Sequence, residues 1–211
     1  MRLPETYKET LIYKQLEVLD DAESLSKVNQ MIKIVTPYLD LIGRDAFDNF
    51  TIHHARHSIN LMGYASEIIP KETMERLSCV EIMILIYAFY IHDIGMAVSY
   101  RDCDAIYKSE DFRVFIETHS EFSDKINDLD KRYQDGVIQP EVDLYKKFLY
   151  QTALTGYIRP QHADIKRYKE VVNQILETDP TLFHYKGTSF LDELLLICNI
   201  IISANKNYVT F

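Results

Sequence analysis

The chain has 211 residues, of which 47% are hydrophobic and 26% are charged. These proportions fit one globular domain with a real core and exclude a disordered chain. The formal net charge of −9 disfavours general attraction to nucleic acid or to an anionic membrane surface. We therefore expect neither bulk nucleic-acid binding nor membrane binding.

The cysteines indicate a reducing compartment. Cys79, Cys103 and Cys198 are far apart and odd in number, which argues against a disulfide framework and against a thiolate zinc site. The N-terminus lacks an apolar signal segment, and the longest apolar run, 82–91, is about half of what a membrane span needs. We interpret the three thiols as reduced core residues of a cytoplasmic protein.

The first half of the chain shows helical spacing of its apolar residues. A helix is predicted from residue 22 to about Pro37 or slightly beyond, and a second over 48–69, where Pro70 stops it. A third helix, from Ser78 to about Ala97, is apolar on nearly every side and is expected at the centre of the fold. No convincing alternating strand is present, so the predicted fold class is all-α.

Between residues 100 and 140 the helical signal weakens. One helix is predicted around 110–128 and a loop at 133–140, and we interpret this stretch as an insertion over a core. Helical spacing returns at 141–154 and at 159–176, where Pro160 takes a favoured first-turn position. The last helix, 189–203, is apolar enough to pack beside the third. The predicted organisation is an N-terminal helical segment, 1–44, followed by one domain, 45–211.

Histidines cluster in the second and third predicted helices. His53 and His57 are four residues apart and His54 and His57 three apart, so either pair can direct two imidazoles at one point. The pair His92 and Asp93 follows the long apolar run. A divalent cation would offset the cost of burying that carboxylate. Imidazole and carboxylate ligands without thiolate suit manganese, iron, magnesium or zinc. The alternative is a buried histidine that simply hydrogen-bonds an aspartate.

Three motifs carry a family resemblance: "FTIHHARHS", then "HDIGM" about 35 residues later, then "IRPQHA". Together they resemble the HD-domain superfamily of metal-dependent phosphohydrolases over roughly residues 45–200. Their phrasing looks most like bacterial HD domains associated with Hsp90-like ATPase modules. The resemblance implies an HD-like helical bundle in which a divalent metal is held by His57, His92 and Asp93. His53 then matches a histidine one turn earlier, and His162 matches a ligand of a second ion.

The last metal ligand of the superfamily has no clear match. It would be an Asp or His on or just after the final helix, and the sequence has neither after Glu193. Three explanations stay open: the C-terminus is truncated, Asp164 or Asp192 replaces the ligand, or the site is lost.

The implied function is hydrolysis of a nucleotide or another phosphoester by metal-activated water. Asp93 or His53 would orient that water, and Arg159 would bind phosphate through its two-pronged guanidinium. One alternative is a catalytically degenerate HD module that serves as a ligand-binding or interaction domain. Another is a plain helical interaction domain with buried histidines. The expected partner is a small phosphorylated substrate; an Hsp90-like ATPase partner is implied by the family resemblance alone.

Overall fold

The computed structural model describes residues 4–44, 55–134, 139–161 and 165–206. Over these residues the protein is an all-α bundle with one short hairpin, which confirms the predicted fold class. The helices are α1 (Leu11–Val18), α2 (Ala22–Arg44), α3 (Ala55–Ile68), α4 (Lys71–Met74), α5 (Cys79–Ile91), α6 (Tyr100–Tyr107), α7 (Glu110–Thr118), α8 (Ser120–Gln134), α9 (Gln139–Gln161), α10 (Ile165–Thr178) and α11 (Leu191–Lys206). The antiparallel hairpin consists of β1 (His184–Tyr185) and β2 (Thr188–Ser189), and 3-10 turns lie at Tyr7–Glu9 and Ile94–Met96.

Helix α5 lies at the centre of the bundle, as its apolar sequence predicts. It contacts α1, α2, α3 and α11, so its side chains are covered from several directions. Ile82, Ile86 and Ile91 are fully buried, and full burial of one such side chain contributes about 1.5–3 kcal/mol. A capping box between Ser78 and Glu81 begins the helix. The C-terminal end of α5 is therefore a well-anchored position in the fold.

The apolar character of α5 continues into the turn that follows it. The 18 residues Cys79–Met96 have a mean hydropathy of 1.6, high enough for a membrane span by length and composition. However, 72% of that stretch is buried inside the protein. Burial of this kind is what the core helix of a folded domain shows, so the stretch is only weak evidence for a membrane span.

Two helix boundaries in the first half of the chain differ from the predicted ones. Helix α2 includes Pro37 and continues to Arg44. Leu39 and Ile42 lie beyond the proline and are buried, so packing offsets the cost of about 3 kcal/mol for a proline inside a helix. Helix α5 ends at Ile91, earlier than the predicted end near Ala97, because the chain turns into the Ile94–Met96 3-10 turn.

The second half of the chain contains more helices than its weak periodicity predicts. Helix α6 was not predicted, and the single helix expected over 110–128 is two helices, α7 and α8. They are separated at His119, whose backbone is extended with φ −109° and ψ 98°. Its ring Nδ1 lies 2.7 Å from the carbonyl oxygen of Phe115, which gives that helix end a polar partner.

Pro160 has a different place from the predicted one. It lies in the last turn of α9, not in the first turn of the next helix, which begins at Ile165. The buried residues Leu154 and Ile158 hold the preceding turn against the core, so the helix extends through the proline. Helices α1 and α2 both contact α5. The predicted division after residue 44 and the predicted insertion at 100–140 remain predictions.

A polar cluster joins the start of α2 to the hairpin, and we call Asp21, Ser24, Tyr185 and Lys186 the hairpin clamp. The Asp21 carboxylate accepts hydrogen bonds from the Ser24 backbone N–H and the Tyr185 hydroxyl, both at 2.9 Å. Lys186 Nζ lies 3.0 Å from the same carboxylate. Lys186 and Gly187 have φ of 50° and 79°, as a two-residue hairpin turn with two positive φ values requires. The clamp holds two distant parts of the chain together.

Candidate metal centre

Helix α3 and the end of α5 position three of the predicted site residues. His57 lies on α3, His92 is the residue after α5, and Asp93 follows it. Successive residues of a regular helix point about 100° apart. At Asp93 the backbone has left helical geometry, with φ −95° and ψ 1°, and its carboxylate turns back to the His92 ring. The early end of α5 therefore lets two adjacent residues contribute to one site.

The three side chains converge on the carboxylate of Asp93. Its Oδ2 lies 3.1 Å from His92 Nε2 and 3.7 Å from His57 Nε2. The two imidazole rings are 5.5 Å apart and tilted by 42°. The side chains of His92 and Asp93 are 6% and 7% exposed, whereas that of His57 is 24% exposed. The cluster is thus closed on the α5 side and open at His57.

His92 is oriented by the carbonyl at the end of its own helix. Its Nδ1 lies 3.2 Å from the oxygen of Phe89. With a proton on Nδ1, the ring donates to that oxygen, and Nε2 keeps a lone pair directed at Asp93. Burial lowers the pKa of His92, but the Asp93 charge and hydrogen bonds to Asp93 and Phe89 outweigh it and raise the pKa above 6.5. A proton and a cation would therefore compete for this nitrogen.

The donor set fits a divalent cation. One nitrogen from each histidine and one oxygen of Asp93 all lie within 4.8 Å of one another. With bonds of about 2.0–2.2 Å, neighbouring ligand atoms of a tetrahedral ion are roughly 3.3–3.6 Å apart. The distances from Asp93 Oδ2 to the two histidine nitrogens, 3.1 and 3.7 Å, are close to that spacing. Two nitrogens and one carboxylate oxygen suit zinc, iron or manganese.

A comparison with protein families agrees with this geometry. A family model described as HD-CE matches residues 47–200, a range that contains all three residues of the cluster. The chain belongs to the HD-CE family. No curated protein and no solved structure gives a significant match. The family match confirms the HD-type resemblance, but it does not address the association with Hsp90-like ATPase modules.

The structure describes some of the remaining predicted site residues and not others. His53, His162 and Asp164 lie outside the described residues, so their roles remain predictions. Arg159 is half-buried in the last turn of α9, and α9 contacts the 3-10 turn that follows Asp93. Asp192 is exposed in the first turn of α11 and does not belong to the cluster. The described residues thus supply three potential ligands, and their role as ligands is still a prediction.

Two residues near the centre were not found from the sequence, Cys198 on α11 and Tyr168 on α10. Cys198 is fully buried, and burial together with the charge of nearby Asp93 raises the pKa of its thiol to about 11. Tyr168 is buried beside Cys198, and burial raises the pKa of its phenol well above the usual value. Leu194 and Cys198 have the helical spacing of one face, and both are fully buried. This spacing, together with the prediction that the last helix packs beside α5, was the sequence signal that could have placed Cys198 on the buried face of α11.

Proposed function

We propose that the protein is a metal-dependent phosphohydrolase that acts on a nucleotide or another small phosphoester. The observation that carries the proposal is the convergence of His57, His92 and Asp93 within 4.8 Å. The cluster lies within the range that the HD-CE family model matches, and it joins the His-Asp pair to a histidine of α3. The His-Asp pair is nearly buried, so its carboxylate has a strong physical reason to bind a cation.

Each residue of the cluster has a separate role in this proposal. His57, His92 and Asp93 would hold manganese, iron, magnesium or zinc. A bound divalent ion lowers the pKa of water and polarises a phosphoryl oxygen. Asp93 would also orient an attacking water, and His57, the most exposed of the three, lies on the open side where a substrate would approach. Arg159 would bind the phosphate and offset its charge.

Turnover assays test this proposal directly. Purified protein is assayed with a panel of chromogenic phosphoesters and nucleotides, with and without added manganese, and then with a chelator. We expect low activity that requires the metal and is lost with the chelator. The His57→Ala variant should lose both the bound metal and the activity, because it removes one of three ligands.

His119→Ala is the matched control for that variant. This histidine ends α7 and bonds to the Phe115 carbonyl, outside the metal cluster. Its substitution removes the same chemical group and should leave metal content and turnover unchanged. Bound metal without hydrolysis of any substrate in the panel would contradict the proposed activity.

A catalytically degenerate HD module is the second candidate function. It is favoured by α11, which contacts α5 but has no Asp, Glu or His after Glu193. The described cluster therefore has three ligands, and a site with few protein ligands can lose its ion readily. In this case the protein would bind a metal or nucleotide without turnover. Equilibrium dialysis with manganese and a nucleotide would detect such binding where the turnover assay finds no product.

The association with an Hsp90-like ATPase is a separate proposal, supported by the resemblance of the three sequence motifs alone. It is tested by co-purification of the protein with an Hsp90-like ATPase from the same source. Separate elution of the two proteins at micromolar concentration would contradict a stable complex.

A further inference from the structure

The first half of α9 presents three large apolar side chains to solvent. Leu144, Tyr145 and Phe148 are 68%, 63% and 48% exposed, and their spacing places them on one face of the helix. We call these three residues the α9 patch. Together they leave roughly 300–400 Å² of side-chain surface exposed. A single exposed leucine needs no explanation, but a contiguous apolar patch of this size marks an interaction site.

An open groove between α8 and α9 adjoins the α9 patch. Its volume is about 500 Å³, and Tyr145 and Phe148 line it together with Leu149 and with Leu129 of α8. Leu144 does not line the groove and is the most exposed residue of the patch. The same surface therefore has both a projecting apolar side chain and an apolar groove that can receive one.

The charge of α8 and α9 differs from that of the rest of the protein. These two helices contain six acidic and six basic residues, so their charges cancel, whereas the whole chain has a net charge of −9. The rim of the groove also carries both signs, with Asp124 next to Lys125. Two copies of an acidic protein repel each other, and the repulsion is weakest where the contacting faces are neutral. A strongly basic or strongly acidic partner, in contrast, finds no complementary charge on this surface.

We propose that the α9 patch and the adjacent groove form the contact between two copies of this chain. In a two-fold symmetric dimer the same surface meets itself, so each feature needs its complement within that surface. Leu144 of one copy would enter the groove of the other beside Phe148, and the reverse contact would form at the same time. The patch supplies nearly half of the roughly 800 Å² per partner that a standard interface buries. The polar rim has to supply the rest, so we expect a reversible dimer that depends on concentration.

The molar mass in solution tests this contact. Light scattering after gel filtration follows the full chain over a range of loading concentrations that begins at low micromolar. We expect wild type to shift from the monomer mass of 24.8 kDa towards twice that mass as the concentration rises. Leu144→Glu should stay monomeric throughout, because it places a charge where the apolar side chain enters the groove. Its melting temperature should equal that of the wild-type monomer, since Leu144 is exposed in the monomer.

Two further variants separate this surface from apolar exposure in general. Leu196→Glu is the matched control, because it makes the same substitution at a similarly exposed leucine on α11. This variant should dimerise like wild type. Lys125→Glu makes the rim of the groove acidic, so it should weaken the dimer at low salt and have less effect at high salt.

Three outcomes would overturn the proposed dimer. The first is a wild-type protein that stays monomeric at the highest concentration. The second is a dimer that Leu144→Glu leaves intact, and the third is equal dissociation by Leu144→Glu and Leu196→Glu. If Leu144→Glu does not fold, Tyr145→Glu changes another exposed residue of the α9 patch, and an intact dimer in that variant overturns the proposal. The mass measurements involve neither metal nor substrate, so they leave the phosphohydrolase proposal to its own assays.

Discussion

The metal centre and the hairpin clamp are both built around an aspartate, but the two carboxylates have different surroundings. Asp21 receives a backbone N–H, a phenol and an ammonium group within 3.0 Å. Asp93 is more deeply buried and faces two imidazoles, each of which donates only through a protonated nitrogen. The donors around Asp21 are permanent, whereas each imidazole beside Asp93 can either donate a proton or ligate a cation. One carboxylate therefore stabilises the fold, and the other is suited to binding.

The largest expected effect comes from removing the charge of Asp93. Asp93→Asn keeps the size of the side chain but removes the anionic ligand, so metal affinity should fall by more than about 100-fold, beyond the range for residues that only support a ligand. Calorimetric titration with zinc and manganese measures the change. Asp192→Asn is the control, because Asp192 is exposed at the start of α11. Loss of metal in the control alone would show that Asp192 is a ligand and Asp93 is not.

Removing the Arg159 side chain should lower kcat/KM for the phosphoester without changing the metal content. Loss of one charge-assisted contact with phosphate predicts a fall of about tenfold in kcat/KM for Arg159→Ala, with unchanged metal content. Steady-state kinetics on the best phosphoester in the panel provide the measurement. Arg132→Ala is the matched control, because Arg132 is exposed and paired with Asp128 on α8. Equal kinetics for Arg159→Ala and wild type would leave Arg159 with a structural role only.

Breaking the clamp should change stability without changing metal binding. Asp21→Asn removes the charge that meets Lys186 and weakens the N-terminal cap of α2. We expect a fall in melting temperature of roughly 2–4 °C for a chain of this size. Thermal unfolding gives the stability, and titration with manganese should return the wild-type dissociation constant. A weakened manganese affinity would contradict the independence of the two regions.

The smallest expected effect is the pH dependence of the stability that Asp21 contributes. The hydrogen bond from Ser24 and the interactions with Lys186 lower the pKa of Asp21 from 3.8 to about 2. Because the folded-state pKa is depressed, this stabilisation is fully present above pH 3.8 and is lost as the pH falls through about 2. The gap in melting temperature between wild type and Asp21→Asn should thus be constant near neutral pH and narrow in acid. A difference in melting temperature that widens in acid would contradict a stabilising role of the ionised Asp21 carboxylate.

The sequence predicted the fold and the metal cluster through different signals. Apolar periodicity located α2 and α11, because each buries one face and packing follows the period. A continuous apolar run located α5, which is covered from several directions. The predicted boundaries at Pro37 and Pro160 were wrong. Proline usually marks the end or the start of a helix, but tertiary packing extends the helix through both residues. The division at His119 was missed because residues 110–128 contain no proline or glycine that would mark a break in the helix. Local patterns thus described the core better than the surface.

The convergence of three candidate ligands was predictable where residue types coincide with a motif. His57, His92 and Asp93 were singled out because imidazole and carboxylate groups in the order of an HD domain are chemically distinctive, and the structure brings them within 4.8 Å of one another. Tyr168 and Cys198 were not singled out because each has the appearance of an ordinary core residue, and both are buried in the core of the bundle.

The position of the cluster at the end of α5 has an electrical consequence. Aligned peptide dipoles give the C-terminal end of a helix a partial negative charge, which attracts cations and repels anions. His92 already contacts the carbonyl oxygen of Phe89 at that end. The carbonyl groups at the end of α5 and the Asp93 carboxylate together create a negative electrostatic potential. This potential favours a cation and disfavours a phosphate group that arrives without one. In the proposed function the ion would therefore bind first, and a phosphate group would gain affinity for the site only after the ion has reversed the sign of its charge.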